Sequence, residues 1–260
     1  MRIRFRFTKL GRIRFTSQRD VARMWERALR RAGLPLAYTE GFSPRPQLSF
    51  GLALPTGCES LAEYLDVVVD DERPETAGLV VEDLPGRLSP LLPDGLEVEE
   101  AALVERARGS LQQQVTSCSW TIEIGGLTPA QLEDRVAALL AASTVDIERE
   151  RKGRQERDDL RPSVLALTVD TGVVGEAPGR LGLVAELATQ PRGVRPIELV
   201  RGLIAVADGP VDQSVGTPAL GRACRTQQWI DRDGDRTEPL PRRGRSAATD
   251  RTTHLLERAS

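Results

Sequence analysis

Residues 2–33 read RIRFRFTKLGRIRFTSQRDVARMWERALRRAG, and a change of rhythm inside this stretch decides the fold. From Arg2 to Thr8 the period is two. Ile3, Phe5 and Phe7 fall on one face and Arg2, Arg4 and Arg6 on the other, the pattern of a strand buried on one side. Lys9 to Arg12 form a turn, and Ser17, with Asp20 three residues on, is placed to cap a helix. From about Gln18 to Ala32 the period becomes helical, with Val21, Met24, Trp25, Ala28 and Ala32 in one apolar stripe and Gly33 as the stop. Such a stripe belongs against a sheet.

Outward from this pair, Gln47 to Leu54 and Ala62 to Val69 predict two further strands, the second containing the most β-prone run of the chain, Tyr64 to Val69. Leu84 to Leu92 is short and helical, and Leu96 to Val104 predicts a last strand. Strand, helix, strand, strand, helix, strand is the ferredoxin-like βαββαβ unit. The pattern then starts again. Ser119 to Ile124 is a strand, Pro129 to Ala142 an amphipathic helix, Val145 to Arg151 an alternating segment, Ser163 to Val169 and Leu181 to Leu187 strands, and Pro196 to Val206 a helix entered through proline. The expectation is an α+β chain of two ferredoxin-like domains in tandem, residues 1–108 and 115–230. Residues 231–260, polar, basic and nearly free of large apolar groups, are expected to form a disordered tail.

The 260 residues are 40% hydrophobic and 28% charged, and no apolar run approaches the roughly eighteen residues of a membrane helix. The first fifteen residues alternate charge and apolar side chains, unlike a secretory signal, so a cytoplasmic protein with no membrane attachment is expected. Cys58, Cys118 and Cys224 lie far apart, with no CxxC pair and His254 as the single histidine, which argues against a disulfide framework or a zinc site and for buried or partly buried thiols. Net charge is −2, but it is unevenly spread. Up to Leu54, one Lys and eleven Arg stand against Asp20, Glu26 and Glu40, a net of +9; from Pro55 to Arg108, fourteen acids stand against four arginines, a net of −10. This predicts a basic and an acidic face, the basic one suited to a polyanion.

Catalytic groupings are scarce. Three isolated cysteines cannot hold an iron–sulfur cluster, and neither GxxxxGK[ST] nor a GxGxxG after a strand is present. No iron–sulfur, cobalamin or nucleotide cofactor is therefore expected on this chain. Ser17 and Ser43 have no histidine beside them to activate a nucleophile, and the pairs Asp70-Asp71 and Asp158-Asp159 have no ligating companions. No catalytic or metal residue is assigned.

Binding groups are better represented. In Thr39 to Gly51, TEGFSPRPQLSFG, Pro44 and Pro46 hold Ser43 and Arg45 extended, so the loop is stiff and loses little entropy on binding. Phe42 offers a stacking plane and Arg45 a guanidinium, with Ser43 and Gln47 beside them, the combination used by sites for single-stranded nucleic acid. Phe50 is assigned to the core; Phe42 is left open between core and surface. Arg19, Arg23, Arg27 and Arg30 form a row along the first helix, each within about 6 Å of the next by helix geometry. They serve either phosphate contact or an ordinary solvated face. In Glu148 to Pro162, ERERKGRQERDDLRP, Arg149, Arg151, Lys152 and Arg154 lie on a strand–turn–strand candidate that can clamp a nucleic-acid backbone, unless its acids neutralise it.

The run from Arg2 to Val67, with Gly41-Phe-Ser-Pro-Arg-Pro46 and Pro55-Thr-Gly-Cys-Glu-Ser60 at their spacing, resembles the radical-SAM-associated (radical-SAM-linked) protein family. The likeness continues more weakly through Glu148 to Pro162 and Gln190 to Pro196. In that family the module occurs alone or joined to the end of a cobalamin-binding radical SAM protein, which implies a cobalamin-dependent radical SAM protein as partner. Members usually carry Ser-His-Leu-Asp at the helix start; here it is Ser17-Gln18-Arg19-Asp20, without the acid–base histidine. In layout the chain is also similar to the repeat-associated RNA-processing proteins of CRISPR systems. The function expected is a non-catalytic RNA-binding or substrate-presenting accessory protein in RNA modification or processing. The alternatives are a scaffold docking the radical SAM partner without nucleic acid and, lower, a metal-independent ribonuclease.

Overall fold

A computed structural model describes residues 1–105, 110–151, 153–170, 179–206 and 217–240 of the chain. The fold is mixed α/β and divides into two compact units, Met1–Val115 with the chain from Ile230 onward, and Thr116–Trp229.

In the first unit the elements are β1 (Arg2–Lys9), α1 (Gln18–Arg31), β2 (Leu48–Phe50), β3 (Glu59–Val68), the short α2 (Pro74–Ala77) and α3 (Leu84–Leu88), β4 (Leu96–Leu103) and α4 (Leu111–Gln114). β1 lies between β3 and β4, antiparallel to both, and β2 pairs antiparallel with β3 through Leu48↔Val67 to Phe50↔Leu65. The alternation of β1 sends Ile3, Phe5 and Phe7 into the core with Leu65 and Val67 of β3, where they meet Val21, Trp25, Ala28 and Leu29 of α1. Trp25 is the centre of this contact, its ring centroid 5.6 Å from that of Phe5 and 5.0 Å from that of Phe7. Leu29 belongs to the buried stripe, whereas Met24 and Ala32 pack only at its margin. The Ser17 hydroxyl caps α1, accepting from the Asp20 amide.

The second unit contains β5 (Ser117–Gly125), α5 (Pro129–Ala141), β6 (Asp146–Arg151), β7 (Arg154–Asp159), β8 (Val164–Asp170), β9 (Leu181–Ala188), α6 (Pro196–Ala205) and β10 (Ala219–Arg232). β5 lies between β9 and β10 and β8 pairs with β9, all antiparallel, while β6 and β7 form a separate hairpin. Fourth, first, third, second is thus the strand order of this sheet, and the first unit has the same order in β4, β1, β3 and β2. In both, a helix follows the first strand and helical chain precedes the fourth. β10 escapes the sequence reading because its register shifts twice, between Leu220 and Ala223 and between Arg225 and Gln227. Each bulge resets the alternation that marks a strand.

Residues 231–240, expected to open a disordered tail, are instead folded. β10 continues to Arg232, and β11 (Asp235–Thr237) turns back on it through Ile230↔Thr237 and Arg232↔Asp235. Glu238 to Leu240 then lie against the arginine side of β1. Arg6 donates from Nη1 to a Glu238 carboxylate oxygen at 2.6 Å, and Arg4 from Nη1 to the Pro239 carbonyl at 3.2 Å. Residues 241–260 lie outside the described residues. No helix among the described residues is long and apolar enough to cross a membrane. Cys58 and Cys118 are buried and Cys224 is half-buried.

Because Arg6 is 1% exposed and keeps Glu99 as a second carboxylate, Glu238→Ala is expected to remove about 2 kcal/mol of stability, less than the ~3–5 kcal/mol of a buried pair broken outright. Urea denaturation of the full chain measures it; an unchanged midpoint would show that residues 238–240 contribute nothing to the first unit.

Candidate nucleic-acid interface

The loop that follows α1 is a closed hairpin. Its base is held by the Gln47 amide donating to the Ala37 carbonyl at 2.9 Å, and its neck by two bonds between Thr39 and Arg45. The Thr39 amide donates to the Arg45 carbonyl, and the Arg45 amide donates to the Thr39 hydroxyl. Gly41, at φ +118°, makes a turn that a side chain would strain. Proline at 44 and 46 stiffens the return limb, and Pro46 itself is buried. The ring of Phe42 consequently has no packing partner among the described residues. It is fully exposed, at 110% of its reference area, with Ser43 and the side chain of Arg45 also in solvent. Phe50 lies apart from it, half-buried edge-on to Phe7 at 6.5 Å. Gln47 staples the hairpin, its side-chain amide donating to the Tyr38 carbonyl. Tyr38, 41% exposed and bridged to Pro46, adds a second aromatic side chain to the same hairpin. The sequence signal for it is its position one residue before Thr39, where the proline-containing stretch begins.

On α1 the arginines 19, 23, 27 and 30 are all exposed. Arg23 pairs with Asp20 at 3.3 Å and Arg30 with Glu26 at 3.2 Å, exposed pairs that hold their charges loosely. Arg19 and Arg27 have no acid within 4 Å among the described residues. The row is therefore a solvated face retaining two uncompensated cations. It belongs to the first unit, as the hairpin does.

The β6–β7 hairpin belongs to the second unit and divides in two. Along its body the register sets Glu148 opposite Arg157 and Arg149 opposite Glu156, with Asp146 opposite Asp159 at the base. Arg149 reaches Glu156 at 3.3 Å and Asp158 at 3.1 Å, and Asp158 in turn holds Arg192, which also binds Glu198 at the start of α6. Arg149 is thus part of an ion-pair chain that runs from the hairpin to α6. At the tip the register sets Arg151 opposite Arg154, and the Arg154 side chain is exposed. Lys152 lies outside the described residues.

Residues 2–196 match a family described as an uncharacterized protein conserved in bacteria, DUF2344. The chain belongs to the DUF2344 family. No curated protein matches it. Among solved structures, a chain in the crystal structure of a Cbf5-Nop10-Gar1 complex is similar over 86% of this chain and 49% of its own, at 10% identity and a TM-score of 0.44. The DUF2344 chain spans about half the length of that solved chain.

The charge segregation of the DUF2344 sequence does not survive folding as two faces. The cations of β1 meet the acids of β3 and β4 across the sheet. Arg4 makes a bidentate pair with Asp66 at 2.6 and 2.8 Å, and Arg6 binds Glu99 at 3.1 Å. Lys9, buried, donates to the Thr16 carbonyl, and Arg14 approaches Glu59 at 3.4 Å. Burial works against the Arg6 charge, but the Tyr64 oxygen, Glu238 and Glu99 outweigh it and raise its pKa above the ordinary arginine value. Burial likewise pushes the Tyr64 hydroxyl well above the ordinary phenol range, so Tyr64 stays a neutral acceptor and the carboxylates supply the countercharge. Part of the +9 is therefore internal, and the exposed cations of that segment include Arg12, those of α1 and Arg45.

Replacing Arg149 by Ala is expected to lower stability by about 1–3 kcal/mol, whereas Arg154→Ala is expected to stay within about 0.5 kcal/mol of the parent. Thermal melting of the two variants checks the division; equal losses would make the whole hairpin structural.

Proposed function

We propose that this DUF2344 chain is a non-catalytic, cytoplasmic RNA-binding or substrate-presenting protein. Each of its units is a ferredoxin-like domain, and it serves a separate cobalamin-dependent radical SAM enzyme in RNA modification or processing without carrying a cofactor itself. The observation that carries the reading is the fully exposed Phe42 at the tip of a loop pinched shut between Thr39 and Arg45. A base–aromatic stack on one such ring contributes about 1–3 kcal/mol, and a stiff loop retains most of it because little freedom is lost on binding. Arg45 beside it suits a phosphate, and Tyr38 lies on the same hairpin. The ring demands an unpaired base, so the ligand is single-stranded. The strand order common to both units supports the ferredoxin-like assignment. The family likeness of the N-terminal half supports the radical SAM partner. Gln18, where that family carries histidine, weighs against the ribonuclease reading.

Fluorescence anisotropy with a labelled single-stranded RNA tests the proposal. Phe42→Ala is expected to weaken binding by about tenfold or more, and Arg45→Glu to lower the slope of log K against log salt by roughly one. Neither change should move the melting temperature, since both side chains are exposed. Affinity and salt slope untouched by both substitutions would overturn the RNA reading. A radical SAM protein retained through nuclease treatment would then favour the scaffold reading.

A further inference from the structure

A second phenylalanine of the first unit stands in solvent. Phe15 ends the 3-10 turn Gly11–Phe15 between β1 and α1 and is 63% exposed. The turn that carries it is firmly seated. The Leu10 amide donates to the Gly95 carbonyl at 2.8 Å, the Gly11 amide to a Glu59 carboxylate oxygen at 2.6 Å, and the buried Lys9 ammonium to the Thr16 carbonyl at 2.9 Å. The Gly57 amide donates to the Arg14 carbonyl at 2.9 Å, and at Gly95 a side chain would collide with the Leu10 carbonyl and with Ile13. Chain on both sides of β3 and the turn before β4 thus fix where the ring projects.

One face of that ring is already occupied by a cation. The Arg14 guanidinium carbon lies 4.6 Å from the Phe15 centroid, and Arg14 is held in turn by the Gly11 carbonyl at 3.3 Å and by Glu59 at 3.4 Å. The exposure of Phe15 therefore belongs to the opposite face and the rim. A guanidinium layered on a phenyl ring is the stack that single-strand sites extend with a base. Its exposed neighbours in the chain are Gly11, Arg12, Ser17 and Arg19, with no exposed apolar side chain among them. An isolated ring among cations suits a ligand that is both aromatic and anionic, which is a nucleotide, better than an apolar protein surface. Arg12 supplies a cation for its phosphate.

We propose that Phe15, backed by Arg14 and flanked by Arg12, is a second base-stacking platform for the same single-stranded RNA, at the opposite end of α1 from the Phe42 loop. This rests on the RNA reading of that loop. Both platforms belong to the first unit. The fourteen residues of α1, about 20 Å of helix, separate them, and along it stand the exposed Arg19, Arg23, Arg27 and Arg30. A strand long enough to reach both rings makes the second stack an intramolecular event, so affinity rises with RNA length.

The test is a series of oligouridylates of about 2 to 15 nucleotides, titrated by anisotropy against the full chain and its Phe15→Ala, Phe15→Trp and Phe42→Ala variants, with melting temperatures in parallel. The parent should bind long RNA roughly 10- to 100-fold tighter than the dinucleotide. Phe15→Ala should remove about tenfold of that gain while leaving the salt slope and the melting temperature unchanged, because the ring is uncharged and exposed; Phe15→Trp should keep it. Long RNA bound equally well by Phe15→Ala would overturn the second platform and leave the Phe42 loop in place. Binding insensitive to Phe42→Ala at every length, with the loss in Phe15→Ala intact, would overturn the loop reading and the shared strand, and keep Phe15 as a separate stacking site. A loss that Phe15→Trp shares, or that comes with a lower melting temperature, would assign Phe15 to the fold and overturn the proposal.

Discussion

The guanidinium of Arg6 is the point on which the first unit closes. It lies on the central strand of its sheet and is 1% exposed. Its donors reach the Tyr64 hydroxyl and the Leu61 carbonyl of β3, the Glu99 carboxylate of β4, and Glu238 near the far end of the described chain. A buried cation is tolerable only when its donors are met, so three segments are obliged to assemble around this one side chain of β1. On the opposite face of the same strand, Phe5 and Phe7 bind the sheet to Trp25 of α1. One alternating octapeptide thereby determines both an apolar layer and an ionic one.

That dual use explains what a reader of the sequence sees and what stays hidden. The alternation of Ile3, Phe5 and Phe7 and the helical stripe containing Trp25 are local patterns, and local patterns survive into the structure. The pairing of Arg4 with Asp66, sixty-two residues away, is not local. Counting charges by segment therefore suggests two faces, where the fold interleaves the segments as neighbouring strands. β10 is hidden for another reason, because bulges interrupt its period, and Glu238 gives no sign in the sequence that it is the partner of Arg6. Phe42 is the intermediate case: the prolines and Gly41 announce a constrained turn, but whether its ring points into a core depends on what surrounds the hairpin.

The pairing also sharpens the meaning of an arginine-rich composition. Arginine suits buried ion pairs because its planar fork satisfies a carboxylate with two bonds at once, as Arg4 does with Asp66. Other arginines pair with acids one bond at a time: Arg6 within the first sheet, Arg149 and Arg192 at the root of the β6–β7 hairpin. Residue type alone does not separate these from the exposed ones; the acid opposite does.

A physical criterion for recognition follows. Where each cation faces an acid in register, charge contributes to the fold and is largely unavailable to a ligand. Where the fold leaves an aromatic ring in water, as Phe42, the local choice opposes stability and needs another cause. The departure occurs at the end of a hairpin that is closed at its base and stands between the first helix and the second strand of its unit. A closed base fixes where the tip projects, and that is the condition under which an unfavourable residue at the tip is useful for binding.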